Sequence, residues 1–79
     1  MKIIDGIKVF DFDEEQSQSV SSNCEPGEYY ICDHGLKSYV TKGIERYEVS
    51  RKGQSYWICF CHNLQDAIEI VKALSMQQN

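Results

Sequence analysis

The chain has 79 residues, of which 42% are hydrophobic and 11% aromatic, and its formal net charge at pH 7 is −4. A chain of this length forms one domain, buries roughly 60–65% of its unfolded surface, and leaves little room for a deep substrate cavity beside its core. These quantities argue against an enzyme with a deep active site, and the acidic balance argues against a dedicated nucleic-acid binder.

The sequence contains no recognisable targeting or catalytic motif. Residues 1–6 lack the apolar core of a signal peptide, and no apolar run approaches the ~20 residues of a membrane span. We therefore expect a soluble, cytoplasmic protein with no membrane partner and with its four cysteines reduced. The sequence shows no Gly-rich phosphate loop and no Ser–His–Asp arrangement, so it predicts neither a cofactor nor an enzyme.

The first half of the chain predicts one strand followed by a loop. Residues 3–12 have a strand-like pattern in which Ile7 and Val9 share a face. Asp5-Gly6 predicts a turn or a bulge within this strand. The polar, serine-rich stretch 14–27 predicts a flexible loop within a single domain, residues 1–79.

The second half predicts further strands that end in a hairpin. Strands are expected over 29–32, 36–41 and 44–50, with a turn at Asp33-His34-Gly35. A two-residue turn at Lys52-Gly53 would then place Val49 opposite Tyr56, and apolar side chains would gather on one face.

A C-terminal amphipathic helix completes the pattern. Asn63 is a good N-cap, and Asp66 in the first turn favours the helix dipole. Apolar residues follow the helical period at positions 64, 67, 68, 71 and 74. The sequence therefore predicts an α+β fold, in which an antiparallel meander of three to five strands carries one C-terminal helix on one face.

This order of elements resembles other small domains in outline. Strands, a hairpin, and a helix that opens over residues 63–71 (Asn-Leu-Gln-Asp-Ala-Ile-Glu-Ile-Val) resemble the arm-type DNA-binding domains of phage integrases and the HicB-like antitoxins. The likeness covers about half of the chain and includes no diagnostic residue. A typical arm domain is strongly basic, whereas this chain is acidic, so the resemblance assigns no family and no function.

The second face of the predicted sheet is apolar and aromatic, which favours a partner. Residues 1–33 carry most of the acidic side chains, and this imbalance can steer a charged partner. We therefore predict a non-enzymatic interaction module, a small regulator or inhibitor that binds another protein or forms a homodimer. The predicted contact residues are Tyr30, Trp57, Cys59, Ile70, Asp11, Asp13, Glu14 and Glu15.

Two alternatives remain open from the sequence. A ββα-type nucleic-acid-binding domain would use a basic patch on sheet and turns, formed by Lys37, Lys42, Arg46, Arg51 and Lys52. A small zinc-binding domain would use thiolate and imidazole ligands from two adjacent strands. Its candidate ligands are Cys32, His34, Cys59 and Cys61.

Overall fold

A five-stranded β-sheet with one helix across a face forms the frame of the molecule. The computed structural model describes residues 1–16, 18–35 and 46–77. In chain order the elements are β1 (Lys2–Ile4), β2 (Ile7–Asp11), α1 (Phe12–Gln16), α2 (Ser19–Asn23), β3 (Tyr29–Asp33), β4 (Tyr47–Arg51), β5 (Cys59–Cys61) and α3 (Leu64–Met76). The predicted α+β class is confirmed, and the strands follow one another across the sheet in chain order. Among these described helices, none is both long and apolar enough to cross a membrane.

Strands β1 and β2 form a tight antiparallel hairpin, in which Ile4 pairs with Ile7. The two residues between them have positive φ, 52° at Asp5 and 79° at Gly6. Such a two-residue turn matches the twist of the flanking strands, and glycine adopts this backbone conformation without strain. The strand predicted over 3–12 is therefore two strands joined at the predicted turn.

The pairing of β2 with β3 is parallel, with Val9 opposite Ile31. The other described pairs are antiparallel, so the sheet departs from the predicted meander at this one place. A parallel pair needs a crossover connection, and α1 and α2 lie within it. Two short helices occupy much of the stretch 14–27, for which the sequence predicted a flexible loop.

Strands β4 and β5 pair in a register that differs from the predicted one. Val49 lies opposite Cys59, where a two-residue turn would have placed Tyr56. The connection occupies residues 52–58 instead. Because the register differs by an odd number of residues, Cys59 and Cys61 lie on the face under α3 rather than on the opposite face of the sheet.

The hydrophobic core lies between the sheet and α3. Asn63 caps this helix as predicted, since its Oδ1 accepts a hydrogen bond from the backbone N–H of Asp66 at 2.9 Å. The predicted helical stripe packs on the sheet, and its central residues are buried. The core consists of Ile7, Val9, Ile31, Val49, Cys61, Ala67, Ile68 and Val71.

We call the opposite side of the sheet the second face, and the crossover lies against it. Lysine side chains attach the end of α2 to the sheet. The ammonium of Lys8 donates to the carbonyl of Asn23, and that of Lys52 donates to the carbonyl of Ser21 at 2.8 Å and to that of Cys24. The last carbonyls of a helix have no partner within it, so these cations satisfy them.

Candidate protein-contact surface

A polar cluster lies on the second face beneath α1. Glu48 is only 8% exposed; His34 Nε2 lies 2.9 Å from one of its carboxyl oxygens, and the Ser50 hydroxyl donates to the other. Glu15 extends from α1 and contacts both Glu48 and the thiol of Cys32. Residues two apart on a strand share a face, which places Glu48 beside Ser50. The cluster therefore joins α1 to the sheet through polar side chains.

The carboxyl group of Glu15 is shifted towards its protonated form. Burial raises its pKa, and the nearby charge of Glu48 raises it further. Within the described residues, Glu15 Oε2 is buried without a hydrogen-bond partner. A protonated Glu15 removes an uncompensated charge from this position.

The Cys32 thiol and the phenol of Tyr30, which lies beside Ser50 and Glu15, are poorly suited to nucleophilic or base chemistry. Cys32 is fully buried, and burial together with Glu15 strongly raises the pKa of its thiol. Burial likewise raises the pKa of Tyr30 to about 12. A reactive cysteine needs an accessible, stabilised thiolate. The cluster is therefore a structural contact rather than a nucleophilic centre.

Four rings form a continuous row from the second face to the edge of the sheet. The ring centroids are 5.2 Å apart for Phe12 and His34, 5.5 Å for His34 and Phe60, and 5.0 Å for Phe60 and Trp57. We call these four residues the aromatic row. Its ends are open to solvent, with Phe12 46% and Trp57 58% exposed, and the neighbouring Tyr56 is 78% exposed. Exposed aromatic side chains in one patch are typical of protein interfaces.

A shallow groove of ≈ 430 Å³ lies where the aromatic row reaches β5. We call it the edge groove, because β5 is the last strand of the described sheet. It contains Ile70, which the sequence singles out as a contact residue. Its walls are Phe60, Cys61 and His62 beside the strand and Asp66, Glu69, Ile70 and Ala73 on α3.

The predicted apolar contact residues do not share one surface. Trp57 lies in the aromatic row and Ile70 in the edge groove. Tyr30 is half-buried on the second face, where its ring meets Phe10 edge-on at 5.6 Å. Cys59 was predicted on that face but packs under α3 instead, for the reason of register given above.

Most of the predicted acidic contact residues have internal partners. Asp11 caps α1, since its Oδ1 accepts from the backbone N–H of Glu14 at 2.8 Å while its own N–H donates to Glu14 Oε1 at 3.0 Å. Such a reciprocal pair is a capping box. The amino-terminal ammonium of Met1 also bonds Glu14 and lowers the pKa of its carboxyl. Glu15 belongs to the polar cluster, whereas Asp11 and Asp13 are the exposed members of this acidic run.

The guanidinium group of Arg46 is held by a carboxylate. It donates from Nε to Asp33 Oδ1 at 2.7 Å and from Nη2 to Oδ2 at 3.0 Å. The backbone N–H of Gly35, which has the positive φ expected of the predicted turn, also donates to Asp33. Burial alone would raise the pKa of Asp33, but these hydrogen bonds outweigh it and lower the pKa.

The other described basic residues of the proposed nucleic-acid patch also have internal partners. Arg51 donates to the carbonyl of Gly27 at 2.9 Å and stacks over the ring of Tyr29. Lys52 binds the end of α2. Lys37 and Lys42 lie outside the described residues. In the part of the chain that the structure describes, each of these cations has an internal partner.

The four candidate zinc ligands are not brought together. The zinc hypothesis requires β3 and β5 to be adjacent, but β4 lies between them. Cys32 and His34 belong to the second face, whereas Cys59 and Cys61 pack under α3. No group of three or more His, Cys, Asp or Glu side chains suited to a metal ion occurs among the residues described.

The polar cluster was not predicted from the sequence, although one signal for it was present. Glu48 and Ser50 alternate with the core residue Val49, so any register that buries Val49 places them together on the second face. The sequence pattern does not predict that Glu15 contacts Glu48, because Glu15 lies in a stretch without apolar periodicity.

Comparison with protein-family models, with curated proteins and with solved structures found no match for this chain.

Proposed function

We propose that this chain is a non-enzymatic, cytoplasmic regulator or inhibitor that binds another protein through the aromatic row and Tyr56. The observation that carries the proposal is the exposure of Phe12, Trp57 and Tyr56 around one continuous set of ring contacts. Aromatic anchors contribute most of the binding energy in many protein interfaces. The four cysteines are unpaired, which is consistent with a reducing compartment.

The position of the aromatic row supports this role. His34 in its centre contacts the buried Glu48, and Phe60 belongs to a paired strand. Rings that are already fixed in place lose little conformational entropy when a partner binds. A nucleic-acid surface is less well supported, because Arg46, Arg51 and Lys52 have internal partners.

Site-specific cross-linking tests the proposal. A photoreactive phenylalanine analogue in place of Tyr56 should give defined cross-linked products in a lysate of the source cells, and Trp57→Ala in the same chain should abolish them. The matched control places the analogue at the exposed Glu25, outside the aromatic row. If cross-linking at position 56 is no greater than at position 25, or persists in full after Trp57→Ala, the aromatic row is not the binding surface.

A further inference from the structure

The edge groove combines the last strand of the described sheet with a helical wall. In the described sheet β5 pairs with β4 on one side and ends the strand order on the other. An unpaired edge can accept one further strand from another chain through main-chain hydrogen bonds. The groove runs beside this edge, and an added strand would pass between Phe60 and Ile70.

Helix α3 presents a second stripe towards this groove, next to the stripe that packs in the core, and the partly buried Ile70 contacts both the core and the groove. Its residues 66, 69, 70 and 73 line the groove, and they follow the helical period of one face. Ile70 and Ala73 provide an apolar contact, and Asp66 and Glu69 provide two carboxylates. Among the described residues, neither carboxylate takes part in an ion pair.

We propose that the edge groove binds an extended segment of a partner protein, which adds to β5 as a sixth strand. One apolar side chain of that segment packs on Ile70 and Ala73. A basic side chain two residues away, on the same face of the added strand, lies against Asp66 and Glu69. The proposal rests on the proposed function and specifies the partner: an extended, basic and apolar peptide whose neighbouring residues reach the aromatic row.

A second copy of the chain fits this groove less well. A symmetric contact through β5 would place the same surface on both sides of the interface. The carboxylates of Asp66 and Glu69 would then be present twice and would repel each other. Charge complementarity therefore favours a basic segment over self-association.

The probes are short fluorescein-labelled peptides of alternating Val and Thr, with a single Lys placed at each position in turn. Fluorescence anisotropy with the full chain should show saturable binding for some Lys positions. Glu at the same position should weaken that binding by about tenfold or more. In an added strand every second backbone N–H faces β5, and the others face away from it. Peptides N-methylated at the amides that face β5 should therefore not bind, whereas peptides N-methylated at the other amides should bind.

Protein variants locate the contact. Glu69→Gln should weaken binding of the Lys peptide about two- to fivefold, and Glu69→Lys should weaken it further and improve binding of the Glu peptide. Glu25→Gln removes the same charge away from the groove and should change nothing. Loss of binding in the Glu69 variants with an unchanged helical circular dichroism spectrum would support the groove.

Failure of this inference differs from failure of the proposed function. Equal binding of both N-methylated sets, no effect of Glu69→Lys, or no saturable binding below about 1 mM peptide would overturn strand addition at the groove. Cross-linking at position 56 that depends on Trp57 would still support a partner on the aromatic row. A native mass spectrum dominated by a dimer that a bulky substitution in the groove, Ala73→Arg, dissociates would identify the occupant as a second copy, which overturns the basic-peptide inference.

Discussion

The carboxyl groups of Glu15 and Glu48 contact each other on the second face, although one comes from a short helix and the other from the middle of a strand. Burial and the neighbouring charge raise the pKa of Glu15, so docking of α1 is most favourable when this carboxyl is protonated. We therefore expect the contribution of this contact to stability to depend on pH.

Replacing Glu15 with Gln should therefore stabilise the protein as the pH rises. A carboxyl whose pKa is higher in the folded than in the unfolded state contributes stability below its unfolded value, 4.5 for Glu15, and loses that contribution as the pH rises through the folded value. We expect Glu15→Gln to be close to neutral at acid pH and to gain about 1 kcal/mol at slightly alkaline pH. Urea unfolding across this pH range measures the difference.

The exposed Glu25→Gln is the control for Glu15→Gln, since it removes the same charge outside the cluster. Its effect on stability should stay within about 0.5 kcal/mol throughout. A wild-type chain that becomes more stable relative to Glu15→Gln with rising pH would show that Glu15 is bound as a carboxylate.

Arg46→Lys should destabilise the chain although it preserves the positive charge. The fork-shaped guanidinium makes two hydrogen bonds to Asp33 and lies over the ring of Tyr47 at 5.0 Å, and an ammonium cannot reproduce both contacts. We expect a loss of about 1–2 kcal/mol at neutral pH. Since the pKa of Asp33 is lowered on folding, the loss should shrink as the pH falls through that value. A penalty that is independent of pH would mean that the carboxylate is not its source.

Lys52→Met should loosen the crossover. The side-chain length is retained, but the carbonyls of Ser21 and Cys24 lose their donor, which we expect to cost about 1 kcal/mol. Amide hydrogen exchange over residues 19–24 should accelerate more than exchange in α3. Lys72→Met is the control: its ion pair with Asp5 is half-exposed on both sides and should contribute about 0.5 kcal/mol or less. Equal amide exchange rates over residues 19–24 in Lys52→Met and Lys72→Met would contradict this role of Lys52.

Val71→Ala tests the packing of α3 on the sheet. Val71 is 2% exposed in the core, so its truncation leaves a cavity and should cost about 2 kcal/mol. Ser75→Ala on the exposed side of the same helix should change the unfolding free energy by less than about 0.5 kcal/mol. Similar values for the two substitutions in urea unfolding would show that the helix does not pack as described.

The C-terminal helix and the core face of β2 were predictable from the sequence. The helix begins after Asn63 as its cap predicts, and Ile7 and Val9 share the core face. The register of the last hairpin was wrong for a physical reason. Apolar residues occupy both alternating sets over residues 58–61, so either register buries an apolar pair and the pattern alone cannot distinguish them.

The pattern of apolar residues in the sequence does not predict the helices of the crossover or the burial of Glu15 in the polar cluster. Helices of five residues have too few turns to show a hydrophobic period, and isolated helices of that length are not stable. The crossover is held by distant side chains such as Lys8 and Lys52, whose contacts with α2 exist only after the sheet has formed. The burial of Glu15 depends on the same long-range assembly.

The parallel pairing of β2 with β3 has a consequence for the order of folding. In an antiparallel pair such as β3 with β4, contacts start at Asp33 and Tyr47 beside the connection and extend outward. Contacts between β2 and β3 instead join residues 22 positions apart, such as Val9 and Ile31, whereas Asp33 and Tyr47 are 14 apart, so the first contact of the parallel pair costs more loop entropy. We expect β2 to join the sheet after the rate-limiting step, so that Val9→Ala mainly accelerates unfolding, whereas Val49→Ala mainly slows refolding. Stopped-flow measurements on the two variants would reveal an amino-terminal hairpin that is the last part to assemble and the first to detach.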